Sequence, residues 1–144
     1  KPHGALYNMA AKDYRLSKAI CEAVKEFDSS LIILALSGGE LARAAADMGL
    51  LVALEVFADR GYEEDGTLVD RGKEGAMITD EEEAIRRVVR MVKEQKVTAV
   101  TGRDIPIKAD SVCVHGDGVK ALAFVERIRE ALVREEIEIG PLRI

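Results

Sequence analysis

Residues 31–57, LIILALSGGELARAAADMGLLVALEVF, decide the fold class. Their two continuous apolar runs, 31–36 and 51–57, have the length and composition of strands that are covered on both faces. Between these runs, Ser37-Gly38-Gly39-Glu40 opens a short helical pattern, and Gly49 ends it. A strand, a helix and a second strand in this order predict an α/β protein with a parallel sheet and helices outside it.

The same alternation continues along the chain. Apolar residues at helical spacing predict one helix over residues 12–26 and another that follows Thr79 and runs to about residue 95. Thr79 and Glu82 have the spacing of a capping box, with Thr79 as the expected N-cap. The acidic residues after Thr79 therefore indicate the start of a helix rather than a metal site.

The carboxyl-terminal third predicts a hairpin, a strand and a helix. The hairpin joins residues 97–101 and 105–108, and the strand covers residues 111–114. The final helix is expected from about Asp117 to Arg134, with an apolar face formed by Leu122, Val125, Ile128 and Leu132. The polar, glycine-punctuated segment 63–78 is long for a connector and predicts a functional loop.

The size and charge of the chain limit the classes of function. Its 144 residues carry 21 Lys and Arg against 26 Asp and Glu, for a net charge of −5. Scattered cations, no Trp and 4% aromatic residues argue against nucleic acid or a membrane as partner. The two cysteines, Cys21 and Cys113, lie in apolar patterns and are expected to be small buried residues rather than a disulfide framework. A cytoplasmic protein is the default expectation, since no signal peptide or membrane-spanning run is visible.

The number of predicted strands is small for a closed barrel. A closed parallel β/α barrel takes roughly 200–250 residues, whereas this chain provides only a few parallel strands and begins at what resembles the end of another strand. We therefore expect residues 1–144 to be a single domain that forms the C-terminal portion of a β/α barrel.

Both histidines occur in the same local pattern. His115 follows the apolar run 111–114 and precedes a glycine, and His3 also precedes a glycine near the start of the sequence. Imidazole changes charge near neutral pH, and sites in parallel α/β proteins are built at the carboxyl ends of strands. We therefore expect His3 and His115 to line a common cavity at one rim of the sheet.

Other polar residues follow the predicted strands and are expected at the same rim: Lys1, Asn8, Ser37, Glu55, Asp59, Arg60, Tyr62 and Asp117. Several of them have a structural alternative. Glu55 and Arg60 could form an ion pair inside the fold, Asp117 could be only a helix N-cap, and Tyr62 could be a packing residue. A hard divalent ion held by Asp59, Asp117 or Glu55 is compatible with the sequence, which does not require one.

Four segments, in this order, resemble the LamB/YcsF family: residues 1–8 (KPHGALYN), 55–62 (EVFADRGY), 65–71 (DGTLVDR) and 113–117 (CVHGD). The resemblance implies a seven-stranded β/α barrel of the glycoside hydrolase/deacetylase type, here an incomplete barrel that lacks its N-terminal strands. It also implies ATP-dependent opening of 5-oxoproline (pyroglutamate) to L-glutamate, together with 5-oxoprolinase subunits B and C. The family's N-terminal Asn-x-Asp-x-Gly-Glu segment has no counterpart here, so we expect further catalytic or metal-binding groups outside this sequence.

The implied reaction requires activation of the lactam, because a five-membered lactam is resonance-stabilised and closes again readily. Phosphorylation of the lactam oxygen makes the carbonyl carbon a good electrophile, and attack by water then releases phosphate. For this chemistry we expect His115 or His3 to act as acid or base, with Asp59 or Asp117 orienting an imidazole or water. The predicted substrate-binding residues are Lys1, Asn8, Glu55, Arg60 and Tyr62, of which Lys1 and Arg60 would neutralise phosphate or carboxylate charge.

Two other classes of function remain open on the sequence alone. One is a stand-alone metal-dependent deacetylase or amidohydrolase, and the other is a non-catalytic subunit that binds a lactam or sugar. The sequence also leaves open which subunit binds ATP, whether a metal takes part, and whether the chain forms a homo-oligomer.

Overall fold

The computed structural model of the chain describes residues 1–115 and 121–142. Its elements in chain order are α1 (Gly4–Ala10), α2 (Tyr14–Asp28), β1 (Ile32–Leu36), α3 (Glu40–Asp47), β2 (Leu51–Phe57), α4 (Glu81–Glu94), β3 (Lys96–Thr98), β4 (Asp104–Pro106), β5 (Ser111–Cys113) and α5 (Ala121–Arg134). None of the helices in these described segments combines the length and apolar character that crossing a membrane requires.

Three strands form a parallel sheet in the order β1-β2-β5. Strand β2 is central, and its Glu55 lies opposite Ser111 of β5. Because all three strands are parallel, their carboxyl ends meet at one edge of the sheet, where Ser37, Asp59 and His115 follow them. The predicted α/β class with a parallel sheet is confirmed. The predicted hairpin is also present, as the antiparallel pair β3 and β4.

The segment that decides the fold class adopts the predicted strand–helix–strand unit. Helix α3 buries a face of small side chains and one leucine: Leu41, Ala42, Ala44 and Ala45. Small residues on this face allow the helix to pack closely against β1 and β2. Gly49 ends the unit's helix with a φ of +69°, a conformation that a side chain would disfavour.

Helix α4 begins one residue later than the sequence predicts. Asp80 is the N-cap, and its carboxylate accepts a hydrogen bond from the Glu83 backbone N–H at 2.9 Å. The prediction of Thr79 as the cap was wrong, because Thr79 with Glu82 and Asp80 with Glu83 have the same capping-box spacing. The acidic run is nevertheless the first turn of a helix, as expected.

Helix α5 buries only part of its predicted apolar face. Ile128 and Leu132 are buried against α4. Leu122 and Val125 are exposed, so the prediction that they face the core was wrong. Periodicity identifies the apolar side of a helix, but it does not show which turns a neighbouring element covers. The predicted start of this helix at Asp117 lies outside the described residues.

The predicted functional loop between β2 and α4 has internal structure of its own. Short antiparallel bridges fold it back on itself, between Arg60 and Met77 and between Tyr62 and Leu68. Gly61 and Gly75 lie back to back, so that a Cβ atom on Gly61 would be 2.0 Å from the carbonyl oxygen of Gly75. The two glycines therefore permit an approach of backbone to backbone that a side chain would prevent.

Candidate functional site

A cavity of about 400 Å³, called here the histidine cavity, opens at the carboxyl edge of the parallel sheet. Its polar lining residues are Lys1, His3, Asn8, Arg60, Arg71 and His115. The two histidines thus reach one cavity from distant parts of the chain, the arrangement that the sequence leads us to expect. The chemical roles of these residues stay predictions.

His115 forms a hydrogen bond with Asp59, with 2.9 Å between the imidazole Nδ1 and the carboxylate Oδ2. The two residues meet because they follow β5 and β2, which are neighbours in the sheet. Both side chains are partly shielded, at 32% and 17% exposure. A carboxylate can only accept, so in the neutral imidazole the proton is on Nδ1 and the lone pair is on Nε2.

Aromatic side chains restrict the imidazole further. The ring of Phe57, at the end of β2, stacks on His115 with centroids 5.8 Å apart and 29° between the ring planes. Tyr7 of α1 meets the Phe57 ring edge-on at 5.7 Å. The hydrogen bond to Asp59 and the stacked ring together fix the orientation of His115.

Glu55 is the shared hydrogen-bond acceptor of a second group of polar side chains beside the cavity. Its side chain is only 2% exposed, and its carboxylate accepts hydrogen bonds from Lys1 Nζ at 2.6 Å and from the Tyr7 hydroxyl at 2.8 Å. Burial, with the Glu55 carboxylate adding to it, raises the pKa of Tyr7 well above its ordinary value, so the hydroxyl stays a neutral donor. A carboxylate buried in a strand requires such partners. Glu55 therefore fixes the Lys1 ammonium at the cavity wall.

Cys113 lies next to this group, with its Sγ 3.6 Å from Lys1 Nζ. Burial raises the pKa of the Cys113 thiol, and the Glu55 carboxylate raises it further. Burial likewise raises the pKa of Cys21. Both cysteines are free thiols, and neither has the environment of a reactive thiolate. Cys21 is buried, as expected, whereas Cys113 is only partly buried.

Arg60 is buried, at 4% exposure, and it holds the loop together. Its guanidinium donates to the carbonyl oxygens of Ala76 and Val69 at 3.1 and 2.6 Å. The structural alternative of an ion pair between Arg60 and Glu55 is not formed, because Lys1 is the cation that reaches Glu55. Burial lowers the pKa of Arg60, and the nearby Arg71 guanidinium lowers it further.

Of the predicted catalytic and substrate-binding residues that the structure describes, Glu55, Asp59 and Tyr62 do not line the histidine cavity. Tyr62 is fully buried, and its hydroxyl accepts a hydrogen bond from the Phe57 backbone N–H at 2.8 Å. The prediction of a substrate contact by Tyr62 was wrong, because its side chain fills the core and its polar atom serves the backbone. Asp117, a predicted catalytic residue, lies outside the described residues.

Arg71 is a cavity residue that sequence reasoning did not select. It lies in the loop between β2 and α4, is exposed, and lines the histidine cavity beside Arg60. The sequence does contain a signal for it: the triplet Asp-Arg-Gly occurs at residues 59–61 and again at 70–72. The repeated triplet marks both guanidinium groups of the cavity wall.

The described residues do not complete a metal site. Asp59 and His115 are of ligand type, and Asp59 Oδ1 is buried without a hydrogen-bond partner among the described residues. Within residues 1–115 and 121–142, however, no three His, Cys, Asp or Glu side chains are grouped so as to hold a metal ion. Two ligands alone leave a divalent ion short of the coordination that such ions require.

The parallel sheet and the polar cavity at its carboxyl edge place the chain in one class, the α/β proteins whose site lies where parallel strands end. Within that class the comparison with known families is decisive. The model of the LamB/YcsF family matches residues 1–144, and the chain belongs to that family. The resemblance carried by four sequence segments is thereby confirmed.

Curated relatives match nearly the whole chain. A protein from Clostridium beijerinckii, named as the A subunit of 5-oxoprolinase, is 66% identical over 142 residues, which are 99% of this chain and 56% of that protein. A protein of the same name from Fusobacterium nucleatum is 51% identical over 142 residues, 99% of this chain and 55% of that protein. This chain therefore spans about half the length of the curated relatives that it matches.

A solved structure shares the fold. The crystal structure of a lactam utilization protein from Thermus thermophilus matches with a TM-score of 0.85 and 41% sequence identity. The match covers 96% of this chain and 55% of that chain. This agreement supports the α/β arrangement with its parallel sheet.

Proposed function

We propose that this chain belongs to the A subunit of a 5-oxoprolinase, which opens 5-oxoproline to L-glutamate with hydrolysis of ATP. The observation that carries the proposal is the histidine cavity, where an Asp–His pair and several cations converge. The lactam substrate is suggested by relatives that are named as this 5-oxoprolinase component and are up to 66% identical. The cavity offers the groups that opening of an activated lactam needs.

His115 is the proposed base for the attack of water on the activated carbonyl carbon. Asp59 holds its Nδ1, so Nε2 keeps a lone pair that can take a proton from water. The imidazolium that forms would be stabilised by the Asp59 carboxylate. The same proton can then pass to the lactam nitrogen as the C–N bond breaks, which leaves an acyl phosphate on the side chain. A second water hydrolyses this acyl phosphate and releases L-glutamate and phosphate. His3, which lines the same cavity, is the alternative base.

The cations of the cavity are proposed to neutralise the charge of the substrate. 5-Oxoproline carries a carboxylate, and the phosphorylated lactam carries further negative charge. Lys1 offers an ammonium that Glu55 holds in place, and Arg71 offers a planar fork that matches carboxylate or phosphate oxygens. Asn8, on the same wall, can exchange hydrogen bonds with the lactam amide.

The proposal extends to the architecture and the assembly. The sheet β1-β2-β5 is proposed to be a section of a seven-stranded β/α barrel of the glycoside hydrolase/deacetylase type. In support, among the described residues β1 and β5 each pair with a neighbouring strand on one side only, and a barrel would continue both edges. ATP as second substrate, subunits B and C as partners, and a cytoplasmic location complete the proposal.

The test is reconstitution of the purified protein with subunits B and C. Glutamate formed from 5-oxoproline and phosphate released from ATP are measured while each component is omitted in turn. We expect one phosphate per glutamate, and neither product when ATP or this protein is left out.

Two results would assign the chain to another class. Equal glutamate formation by subunits B and C without this protein would make it a non-catalytic binding subunit. Hydrolysis of acetylated sugars or simple amides with a divalent metal and without ATP would make it a metal-dependent deacetylase or amidohydrolase.

A further inference from the structure

A second cavity of about 280 Å³ lies directly beside the histidine cavity. The two share a wall formed by Asn8, Arg60, Leu68 and Arg71. The charged residues of the second cavity are Lys12, Arg60, Arg71 and Asp70. Three cations and one acid leave this lining with a net charge of +2, so the cavity is suited to an anion.

Arg60 is a buried cation without a carboxylate partner. Among the described residues, no carboxylate oxygen lies within 4.0 Å of its guanidinium, although its exposure is only 4%. Buried charges in proteins are normally paired. Two carbonyl oxygens accept from its Nε and one Nη, but they are dipoles and balance a full positive charge only in part.

The other two cations, Lys12 and Arg71, likewise have no carboxylate oxygen within 4.0 Å among the residues that the structure describes. The nearby acids have other partners. Asp65 accepts hydrogen bonds from the backbone N–H and hydroxyl of Thr67, and Asp70 accepts one from a backbone N–H two residues later. These hydrogen bonds do not remove the charge of the two carboxylates; those from Thr67 lower the pKa of Asp65, and the Lys12 ammonium lowers it further. Asp65 does not line the cavity, however, and Asp70 is already counted, so the lining keeps a net charge of +2 that a ligand can balance.

We propose that this second cavity binds a phosphate group. A phosphate carries a charge of about −1.5 to −2 near neutral pH, which matches the net charge of the lining. The guanidinium forks of Arg60 and Arg71 suit its oxygens, and Lys12 adds a point charge. Because Arg60 and Arg71 line both cavities, a phosphate held there would lie next to whatever occupies the histidine cavity.

The source of the phosphate is either inorganic phosphate or the terminal phosphate of a nucleotide. This choice rests on the proposed function, since hydrolysis of ATP involves both. The anion site itself rests only on the charges, the burial and the shared wall.

Isothermal titration calorimetry of the purified protein with inorganic phosphate at low ionic strength tests the site. We expect saturable binding with one phosphate per chain. Arg71→Gln and Lys12→Gln should each weaken it by about tenfold or more, equivalent to about 1.4 kcal/mol. Both side chains are exposed, so these variants should fold, whereas Arg60 supports the loop and is a poorer choice.

Arg15→Gln is the matched control, because it removes the same charge from an exposed residue of α2 that does not line either cavity. Its phosphate affinity should stay within about twofold of the unmodified protein, a difference of under about 0.5 kcal/mol. An equal loss in Arg15→Gln and Arg71→Gln, or no saturable binding of phosphate, would overturn the proposal.

Nucleotide titrations separate the two sources. Competition between phosphate and ATP or ADP, lost in Arg71→Gln, would indicate a terminal phosphate, and binding of phosphate without competition would indicate the free ion. If phosphate does not bind while the reconstituted complex still forms glutamate, the anion site is disproved and the proposed function stands. If phosphate binds but the reconstituted complex forms no glutamate, the anion site stands and the proposed function is disproved.

Discussion

At the scale of single residues, the Asp59–His115 pair is oriented by backbone elements rather than by a mobile segment. The two side chains follow the adjacent strands β2 and β5, and the hydrogen bond between them is 2.9 Å long. Phe57 stacks on the same imidazole. Orientation before a ligand arrives is what efficient proton transfer requires.

Replacement of His115 tests its proposed role as a base. His115→Ala should lower the turnover of the reconstituted complex by about 10²–10⁴-fold, while the melting temperature changes little because the side chain is partly exposed. Arg15→Gln serves as the control with unchanged turnover. Full activity in His115→Ala would exclude this imidazole from the mechanism.

Two tyrosines provide a matched test of burial. Tyr7 and Tyr14 each donate to a carboxylate at 2.8 Å, Tyr7 inside the fold and Tyr14 at the surface. Tyr7→Phe should lower the free energy of unfolding by about 1.5–3 kcal/mol, because it leaves the buried Glu55 with one donor fewer. Tyr14→Phe should cause a clearly smaller change, because water replaces the lost donor. Urea unfolding of both variants measures the difference, and equal losses would contradict it.

At the scale of elements, the loop between β2 and α4 is attached to its surroundings on two sides. Arg87 of α4 donates to the carbonyl oxygen of Arg60 at 3.2 Å, and the Val100 backbone N–H donates to the carbonyl oxygen of Tyr62 at 2.9 Å. The loop thereby holds Arg60 and Arg71 at the wall between the two cavities. Its packing is part of the site.

Gly61→Ala should damage this loop, because the new methyl group would overlap the carbonyl oxygen of Gly75. We expect a loss of about 3 kcal/mol of unfolding free energy, near the upper end for overpacking. Gly140→Ala is the control, since nothing lies within 4 Å of a Cβ there. Thermal unfolding of both variants checks the prediction, which fails if Gly61→Ala is as stable as the control.

The start of α4 offers a second test at this scale. Asp80→Ala removes the side chain that caps the helix and should cost about 1 kcal/mol. Thr79→Ala, one residue earlier, should be close to neutral. Chemical denaturation of both variants measures their free energies of unfolding. A larger loss in Thr79→Ala than in Asp80→Ala would contradict the structure.

Sequence reasoning could predict this order of elements because the signals are local. Continuous apolar runs identify β1 and β2, and Gly49 ends α3. The carboxyl ends of parallel strands lie at one edge of a sheet, and this rule alone predicts that Asp59 and His115 lie near each other. This rule needs only the order of the elements and no side-chain detail.

The details that sequence reasoning missed depend on contacts between distant residues. Lys1 and Arg60 were both available as partners of Glu55, and only the fold places Lys1 within reach. The exposure of Leu122 depends on what packs against α5, which no periodicity records. Burial of Tyr62 follows in the same way from the folding of the loop over the end of β2.

At the scale of the whole molecule, two buried tyrosines link stability to alkaline pH. Burial raises the pKa of both Tyr7 and Tyr62 above the ordinary value. In the unfolded chain these hydroxyls ionise near about pH 10, whereas in the folded protein they stay protonated. Their contribution to stability is therefore complete below about pH 10 and is lost as the pH rises further.

The wild-type protein should accordingly lose stability above about pH 10 more steeply than Tyr7→Phe, by about 1.4 kcal/mol per pH unit. The deficit of Tyr7→Phe at neutral pH should shrink as the pH increases. Urea midpoints of the two proteins between about pH 9 and 11 measure this, and parallel pH profiles would refute it.

The strand order also has a consequence for biosynthesis. Strands β1 and β2 are close in sequence and emerge from the ribosome together, but β5, the second neighbour of β2, follows only after residues 58–110 have been translated. At about 5–20 residues per second, one hydrogen-bonding edge of β2 stays uncovered for some seconds. Uncovered apolar edges invite association with other chains. The nascent polypeptide is thus open to aggregation through this edge in that interval, which ends when β5 pairs with β2 and brings His115 to Asp59.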